Sequence, residues 1–311
     1  MNNVDESRQD YGERTRWLRM RFRALRAFSF PVSVLPVLVA TAAVRPFAEW
    51  DRGVLVASAV GVLLLHATGN LFNDYFDFRS GVDRRETGDE GRPGRFLVHG
   101  EMTPAEVLGE ALVCLLLLVP VAVYLLVKCG PGLLWFGGAA AFGLYAYTGP
   151  PFQFKYRALG ELLIFLVFGP VLMLGAAYAQ TGRLEWRVLL FAVPIGFVTA
   201  ALLVGNNIRD QQEDSAAQIV TVAHVAGGRG SRLLYVALVV VSAACLAALG
   251  VFGLAPRVLV VAPLFLLLLL EPLAGVLRGR RIPDIDVRTA RFETVLLLFM
   301  VVVLMIGGGR S

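Results

Sequence analysis

The chain is short of the residues that most often announce chemistry in a soluble enzyme. Of its 311 residues only 3 are histidine and 3 are cysteine. Cys114, Cys129 and Cys245 lie in or beside apolar runs, without the paired spacing that a zinc site or a disulfide framework requires. Charge is scarce as well: Asp, Glu, Lys and Arg supply 17% of the residues against 57% hydrophobic, which excludes a disordered, solvated chain. The net charge of +5 raises nucleic acid as a partner. No soluble segment interleaves aromatic with basic residues, so no nucleic-acid partner is expected, and a bilayer surface accounts for the basic excess. The apolar runs also lack strand alternation, which leaves helices as the way to satisfy their backbone in lipid.

What is present is apolar sequence in runs too long and too numerous for a soluble core. About twenty apolar residues cross a bilayer as a helix. On that measure nine spans are read, at 28–47, 54–77, 104–128, 131–148, 158–179, 186–208, 231–253, 256–276 and 289–308. The expected fold is all-α and polytopic, with a polar, basic segment at 1–27 and a single transmembrane domain at 28–308. Thr41-Ala42-Ala43 has the look of a signal-cleavage site. The polar segment before it is too long for a secretory n-region and eight runs follow, so an uncleaved first span is expected. Most of the 29 Lys and Arg residues fall in the loops on one side if the N-terminus is cytoplasmic. That asymmetry places the N-terminus and the long loops after spans two and six in the cytoplasm, and the C-terminus opposite.

Span two ends in Gly69-Asn70-Leu71-Phe72-Asn73-Asp74 and span six in Gly205-Asn206-Asn207-Ile208-Arg209-Asp210, both G-N-x-x-x-D. The recurrence four spans later points to a four-helix unit used twice, with a ninth helix added, around a central cavity. Asn70, Asp74 and Asp77 stand at i, i+4 and i+7 and so share one helical face, with Asn73 beside them. Asn206, Asp210 and Asp214 repeat the arrangement. Like charges one turn apart repel, and acids near the bilayer are costly, so a cation must offset them. Carboxylate and amide oxygens on neighbouring turns suit a hard divalent ion, and magnesium completes its shell with water and phosphate oxygens.

These residues resemble the UbiA superfamily of intramembrane aromatic prenyltransferases. Asn70-Leu-Phe-Asn73-Asp74-Tyr75-Phe76-Asp77 through Gly81 and Asp83 looks like that superfamily's first aspartate motif, in the form found in 1,4-dihydroxy-2-naphthoate prenyltransferases, the MenA branch. Asn206-Asn207-Ile208-Arg209-Asp210 through Asp214 to Thr221-Val222-Ala223 looks like its second. Tyr147-Thr148-Gly149-Pro150-Pro151, Phe154-Lys155-Tyr156 and Leu159-Gly160-Glu161 are similar to the MenA branch too. Gln218-Ile219-Val220, where many bacterial relatives carry Gly-Lys, resembles eukaryotic vitamin K prenyltransferases instead.

The resemblance implies an enzyme that uses two magnesium ions to bind a polyprenyl diphosphate between the clusters. Asp74, Asp77, Asp83, Asp210 and Asp214 would be the metal ligands, assisted by Asn70, Asn73, Asn206 and Asn207. Arg92, Arg95, Lys155 and Arg209 would supply positive charge to the departing diphosphate. Tyr147 would face the developing allylic cation. Glu161, an acid near membrane depth, would bind the acceptor or take its proton. The implied acceptor is 1,4-dihydroxy-2-naphthoate, on a route to menaquinone. Another aromatic acceptor, or capture of the cation by an alkene of the same chain as in UbiA-type terpene cyclases, keeps the same site. A transporter also builds polar sites on repeated helices, but would place charge nearer the midplane than these helix ends.

Overall fold

The computed structural model describes residues 20–81, 96–216 and 219–307, with the side chains of 212–216 outside that description. Every element longer than an isolated bridge among these residues is helical. The helices are α1 (Pro31–Val44), α2 (Arg52–Ser80), α3 (Pro104–Cys129), α4 (Leu133–Thr148) and α5 (Gly160–Thr181). They continue with α6 (Leu189–Ala216), α7 (Gly227–Val251), α8 (Arg257–Leu277) and α9 (Ile285–Gly307). Eight of the nine, counting the turn at Ala27–Ser29 with α1, are long and apolar enough to cross a membrane. The exception is α4, whose 16 residues reach only about 24 Å at 1.5 Å per residue. Among the described residues eight helices therefore qualify as spans by length and composition, and the fourth of the nine expected is a shorter apolar helix.

The helix ends follow local rules. Asp51 caps α2 by accepting the Val54 amide at 3.1 Å, and Gly81 ends it at φ 75°, where a side chain would be strained. Thr103 and Glu106 form a reciprocal capping box at the start of α3. Proline interrupts the regular ladder: a π turn at Val167–Val171 contains Pro170, and the 3₁₀ stretch Arg257–Leu269 contains Pro263.

The main core gathers around α6, the most enclosed span, with Ile195, Val198, Ala201 and Val204 buried among Tyr235, Leu246, Phe292, Leu296 and Met300. The most apolar stretch of α3 has no buried residue at all and exposes Leu112, Leu116, Val119 and Val127. In water such a face would be a liability, and in a bilayer it is the lipid-facing surface. The chain is thus an integral, multi-pass membrane protein. α2 packs extensively on α3 and α6 on α7, equivalent pairs in the two four-helix units that the G-N-x-x-x-D recurrence implies. A smaller cluster of Ala24, Leu71, Phe96, Leu97, Met102 and Val107 brings the residues before α1 down onto the motif-bearing end of α2.

Candidate active site

α2 stays helical to Ser80 and α6 to Ala216, so both aspartate motifs ride on regular turns and their spacing becomes a common face. Asp74 and Asp77 are almost fully buried, at 1% and 5% exposure. Each carboxylate meets a cation from elsewhere in the chain. Arg26, in a left-handed conformation at φ 52°, pairs with Asp74. Lys155 places its Nζ 2.6 Å from Asp77 Oδ2, and the Tyr156 hydroxyl donates to Asp77 Oδ1. Burial works against the charge on Lys155, but the Asp77 carboxylate outweighs it and pushes the ammonium above the ordinary lysine range. Burial first, and then Asp77, push the Tyr156 phenol up as well. Over ordinary assay conditions Lys155 is therefore charged and Tyr156 remains a donor.

The second motif is organised alike. The Arg209 guanidinium grips Asp210 in a fork, Nε to Oδ1 at 2.7 Å and Nη2 to Oδ2 at 2.8 Å, and reaches Asp286 on α9 at 2.5 Å. Asn207 donates to the buried Glu161 carboxylate at the start of α5. The segment between α4 and α5 joins the motifs: Lys155 is at Asp77, Glu161 is at Asn207, and the Ala158 amide donates to the Val220 carbonyl at 2.9 Å. Tyr147, at the end of α4, lies within electrostatic range of Lys155, Glu161, Asp77 and Arg26. A Cβ on Gly160 would come within 3.1 Å of the Tyr147 ring and 3.3 Å of Lys155 Cα, so the absence of a side chain there lets these groups approach closely.

Residues on and beside the motifs act differently from one another. The Asn70 side-chain amide donates to the Leu25 carbonyl at 3.0 Å, tying the segment before α1 to the first motif. The Oδ1 atoms of Asn73 and Asn206 are buried and have no hydrogen-bond partner among the described residues. Asp83, Arg92 and Arg95 lie outside the described residues, as does the side chain of Asp214. Tyr145 donates to the Pro150 carbonyl at 2.7 Å and so serves the loop. His66, one turn before Asn70, is bonded by Ser29 and Ser33 and edged by Phe30 and Phe168, which makes it a packing residue. Among the described residues, no three His, Cys, Asp or Glu side chains gather tightly enough to hold a metal ion by themselves. The described acids of both motifs face basic groups instead.

Two contributors escaped the sequence reading. Arg26 stands 48 residues from Asp74 with no spacing to link them, and it was counted with the basic residues that set orientation. Tyr156 adjoins Lys155, and its position beside a basic site candidate was the available signal.

Comparison with known proteins fits this geometry. Residues 33–296 match the model of the UbiA prenyltransferase family. A UbiA prenyltransferase domain-containing protein 1 from Xenopus tropicalis is 38% identical over 218 residues, covering 68% of this chain and 61% of its own length. The protein of the same name from Homo sapiens is 37% identical over 218 residues, covering 68% and 62%. The chain thus spans about three fifths of these two relatives. A UbiA homolog from Archaeoglobus fulgidus, solved bound to GPP and Mg2+, superposes with a TM-score of 0.65 at 15% identity, covering 92% of this chain and 99% of that one. At that identity the likeness is one of fold.

Proposed function

The chain belongs to the UbiA prenyltransferase family, and from that membership we propose that it transfers a polyprenyl group from a polyprenyl diphosphate to an aromatic acceptor. The acceptor we propose first is 1,4-dihydroxy-2-naphthoate, with loss of its carboxylate as carbon dioxide, on a route to menaquinone. The observation that carries the reading is the short segment that sets Lys155 on Asp77 and Glu161 on Asn207. It gathers residues of both aspartate motifs, a fixed cation and a buried acid about Tyr147 at one end of the bundle.

The residues fit a hard divalent ion. Their oxygens come from Asp74, Asp77 and Asp210, and the Oδ1 atoms of Asn73 and Asn206, which have no partner among the described residues, are buried oxygens that a cation would satisfy. Magnesium, as two ions, would be held by Asp74 and Asp77 on α2 and by Asp210 and Asp214 on α6, with Asp83 as a further candidate and Asn70, Asn73, Asn206 and Asn207 assisting. When bound it neutralises charge on the diphosphate as the allylic C–O bond breaks. The A. fulgidus homolog's complex with GPP and Mg2+ supports this for the present chain.

The chain's own groups do the rest. Arg26, Lys155 and Arg209 already stand against the acids, so they have only to turn from carboxylate to diphosphate to stabilise the leaving group, and Arg92 and Arg95 are proposed to add to them. The Tyr147 ring provides a π face for the allylic cation. A ring carbon of the acceptor then bonds to the allylic carbon. Glu161, buried and held by Asn207, accepts the proton displaced from that ring carbon and returns it to the ring carbon that loses carbon dioxide. The basic asymmetry of the loops supports a cytoplasmic site and N-terminus with the C-terminus opposite, and 28–308 as one catalytic domain behind the polar segment 1–27.

Purified protein in liposomes, given Mg2+, geranylgeranyl diphosphate and 1,4-dihydroxy-2-naphthoate, should form a prenylated, decarboxylated naphthoquinol detectable by mass spectrometry. Absence of any prenylated product with this or other aromatic acids would reject the reading. A hydrocarbon formed without acceptor would assign the site to cyclisation.

A further inference from the structure

α9 carries three polar residues on one stripe, Asp286, Thr289 and Glu293, at i, i+3 and i+7. Each meets a different partner. Asp286 takes Arg209 of α6, Thr289 takes the Tyr235 hydroxyl of α7 at 2.8 Å, and Glu293 takes the Thr199 hydroxyl of α6 at 2.6 Å. Glu293, Thr289 and Phe292 have no exposed surface. Glu293 lies about 10 Å further along the helix than Asp286 at 1.5 Å per residue, inside the apolar core, and its Oε2 has no hydrogen-bond partner among the described residues.

The Thr199 hydroxyl faces two acceptors. Its oxygen is 2.6 Å from Glu293 Oε1 and 3.0 Å from the Ile195 carbonyl one turn back, and its single hydrogen can serve only one of them. Both contacts are hydrogen bonds at once only if Glu293 supplies the second hydrogen. The same count applies at Thr289, which donates to the Ile285 carbonyl at 2.6 Å and so accepts from Tyr235. No ion pair to Glu293 exists among the described residues, and an isolated buried carboxylate in an apolar interior is far costlier than a neutral acid with one idle carbonyl oxygen.

We propose that Glu293 is held as a neutral carboxylic acid that donates to Thr199, and that it is a positioning residue: it locks α9 to α6 and so sets Arg209, Asp210 and Asn206 at the end of α6. The ion pair of Arg209 with Asp286 is the outer end of the same lock, and the Tyr235–Thr289 bond fastens α7 to it. Thr199 stands seven residues before Asn206, on the same face of α6, so release of the inner bond lets that face rotate away from its partner.

The kinetic consequence rests on the prenyl-transfer reading and the spectroscopic one does not. Infrared spectra of reconstituted protein should contain a protonated-carboxyl stretch that disappears in Glu293→Gln. Loss of a carboxylate band instead would overturn the proposal. In prenyl transfer, Glu293→Gln, which still offers a neutral donor, should keep wild-type constants. Glu293→Ala should raise the KM for prenyl diphosphate by roughly 3- to 20-fold, the range of an interhelical hydrogen bond in membranes, and leave the acceptor KM unchanged. Should Glu293→Ala not fold, Thr199→Val makes the same test. A Gln variant as impaired as the Ala variant, or a change confined to the acceptor KM, would refute the positioning role.

Discussion

Replacing Lys155 with methionine separates two roles that the structure gives to one ammonium. Lys155 Nζ is 2.6 Å from Asp77 Oδ2, and the two side chains are 19% and 7% exposed. Breaking a buried ion pair from one side costs about 3–5 kcal/mol. Here Tyr156 still donates to Asp77 and Lys155 is about one-fifth exposed, so the discounted figure is about 2–3 kcal/mol. If that stabilisation passes to the departing diphosphate, kcat/KM for the prenyl diphosphate falls about 30- to 150-fold at 1.36 kcal/mol per factor of ten. The metal requirement should move the other way. Lys155 and a divalent ion compete for Asp77, so the methionine variant should saturate at lower Mg2+ than the wild type. Both effects are read from one titration of Mg2+ against initial rate in liposomes, at two prenyl diphosphate concentrations. Unchanged turnover, or a higher Mg2+ requirement, would refute the reasoning.

Other perturbations test the remaining groups. Asp77 raises the folded pKa of Lys155 above its ordinary value, so its contribution is complete below the unfolded lysine value of about 10.4 and fades only above it. The pH dependence of stability between about pH 6 and 9 should therefore carry nothing from Lys155, and wild type and Lys155→Met should show parallel thermal-shift profiles there, with the variant lower throughout. Tyr156→Phe removes one donor to a buried charge, so kcat/KM should drop about 10- to 150-fold, with no new pH dependence in the rate profile because the phenol stays protonated. Glu161→Gln keeps an amide that can accept from Asn207, so melting should hardly shift while kcat falls by about 10²- to 10⁴-fold if Glu161 takes the acceptor's proton. Chelation by EDTA should abolish product formation and Mg2+ should restore it, whereas activity that survives chelation would remove the metal from the account.

How much was legible varies with the physics behind each feature. Span positions were, because a bilayer demands about twenty apolar residues and the boundary signals are local: Asp51 and the Thr103–Glu106 box start helices and Gly81 ends one. The α4 run was read at 131–148, the shortest of the nine, and Pro131-Gly132 trims it at its start to Leu133–Thr148. The π turn around Pro170 was hidden, because a proline marks a break without saying which way the ladder repairs. At the site, the acids showed through their repeated spacing on two helices. Of their counter-cations, Lys155 and Arg209 were named through the family resemblance and Arg26 was not. Arg26 meets Asp74 only because the segment before α1 folds back through Ala24 and Leu25 onto α2, a tertiary event without local periodicity. Glu293 was invisible for a similar reason, since one acid in an apolar helix gains meaning only when its partner across the interface is known.

The central claim is that the ends of α2 and α6 grip one diphosphate through shared divalent ions. Crystals grown with Mn2+ and a non-hydrolysable thio-diphosphate analogue would test it most directly by anomalous scattering. The account predicts metal density bridging the diphosphate to carboxylates of both helices, Asp74 or Asp77 on one side and Asp210 or Asp214 on the other, with Lys155 moved from Asp77 to a phosphate oxygen. Metal bound to the acids of one helix alone, or diphosphate bound away from both, would contradict it.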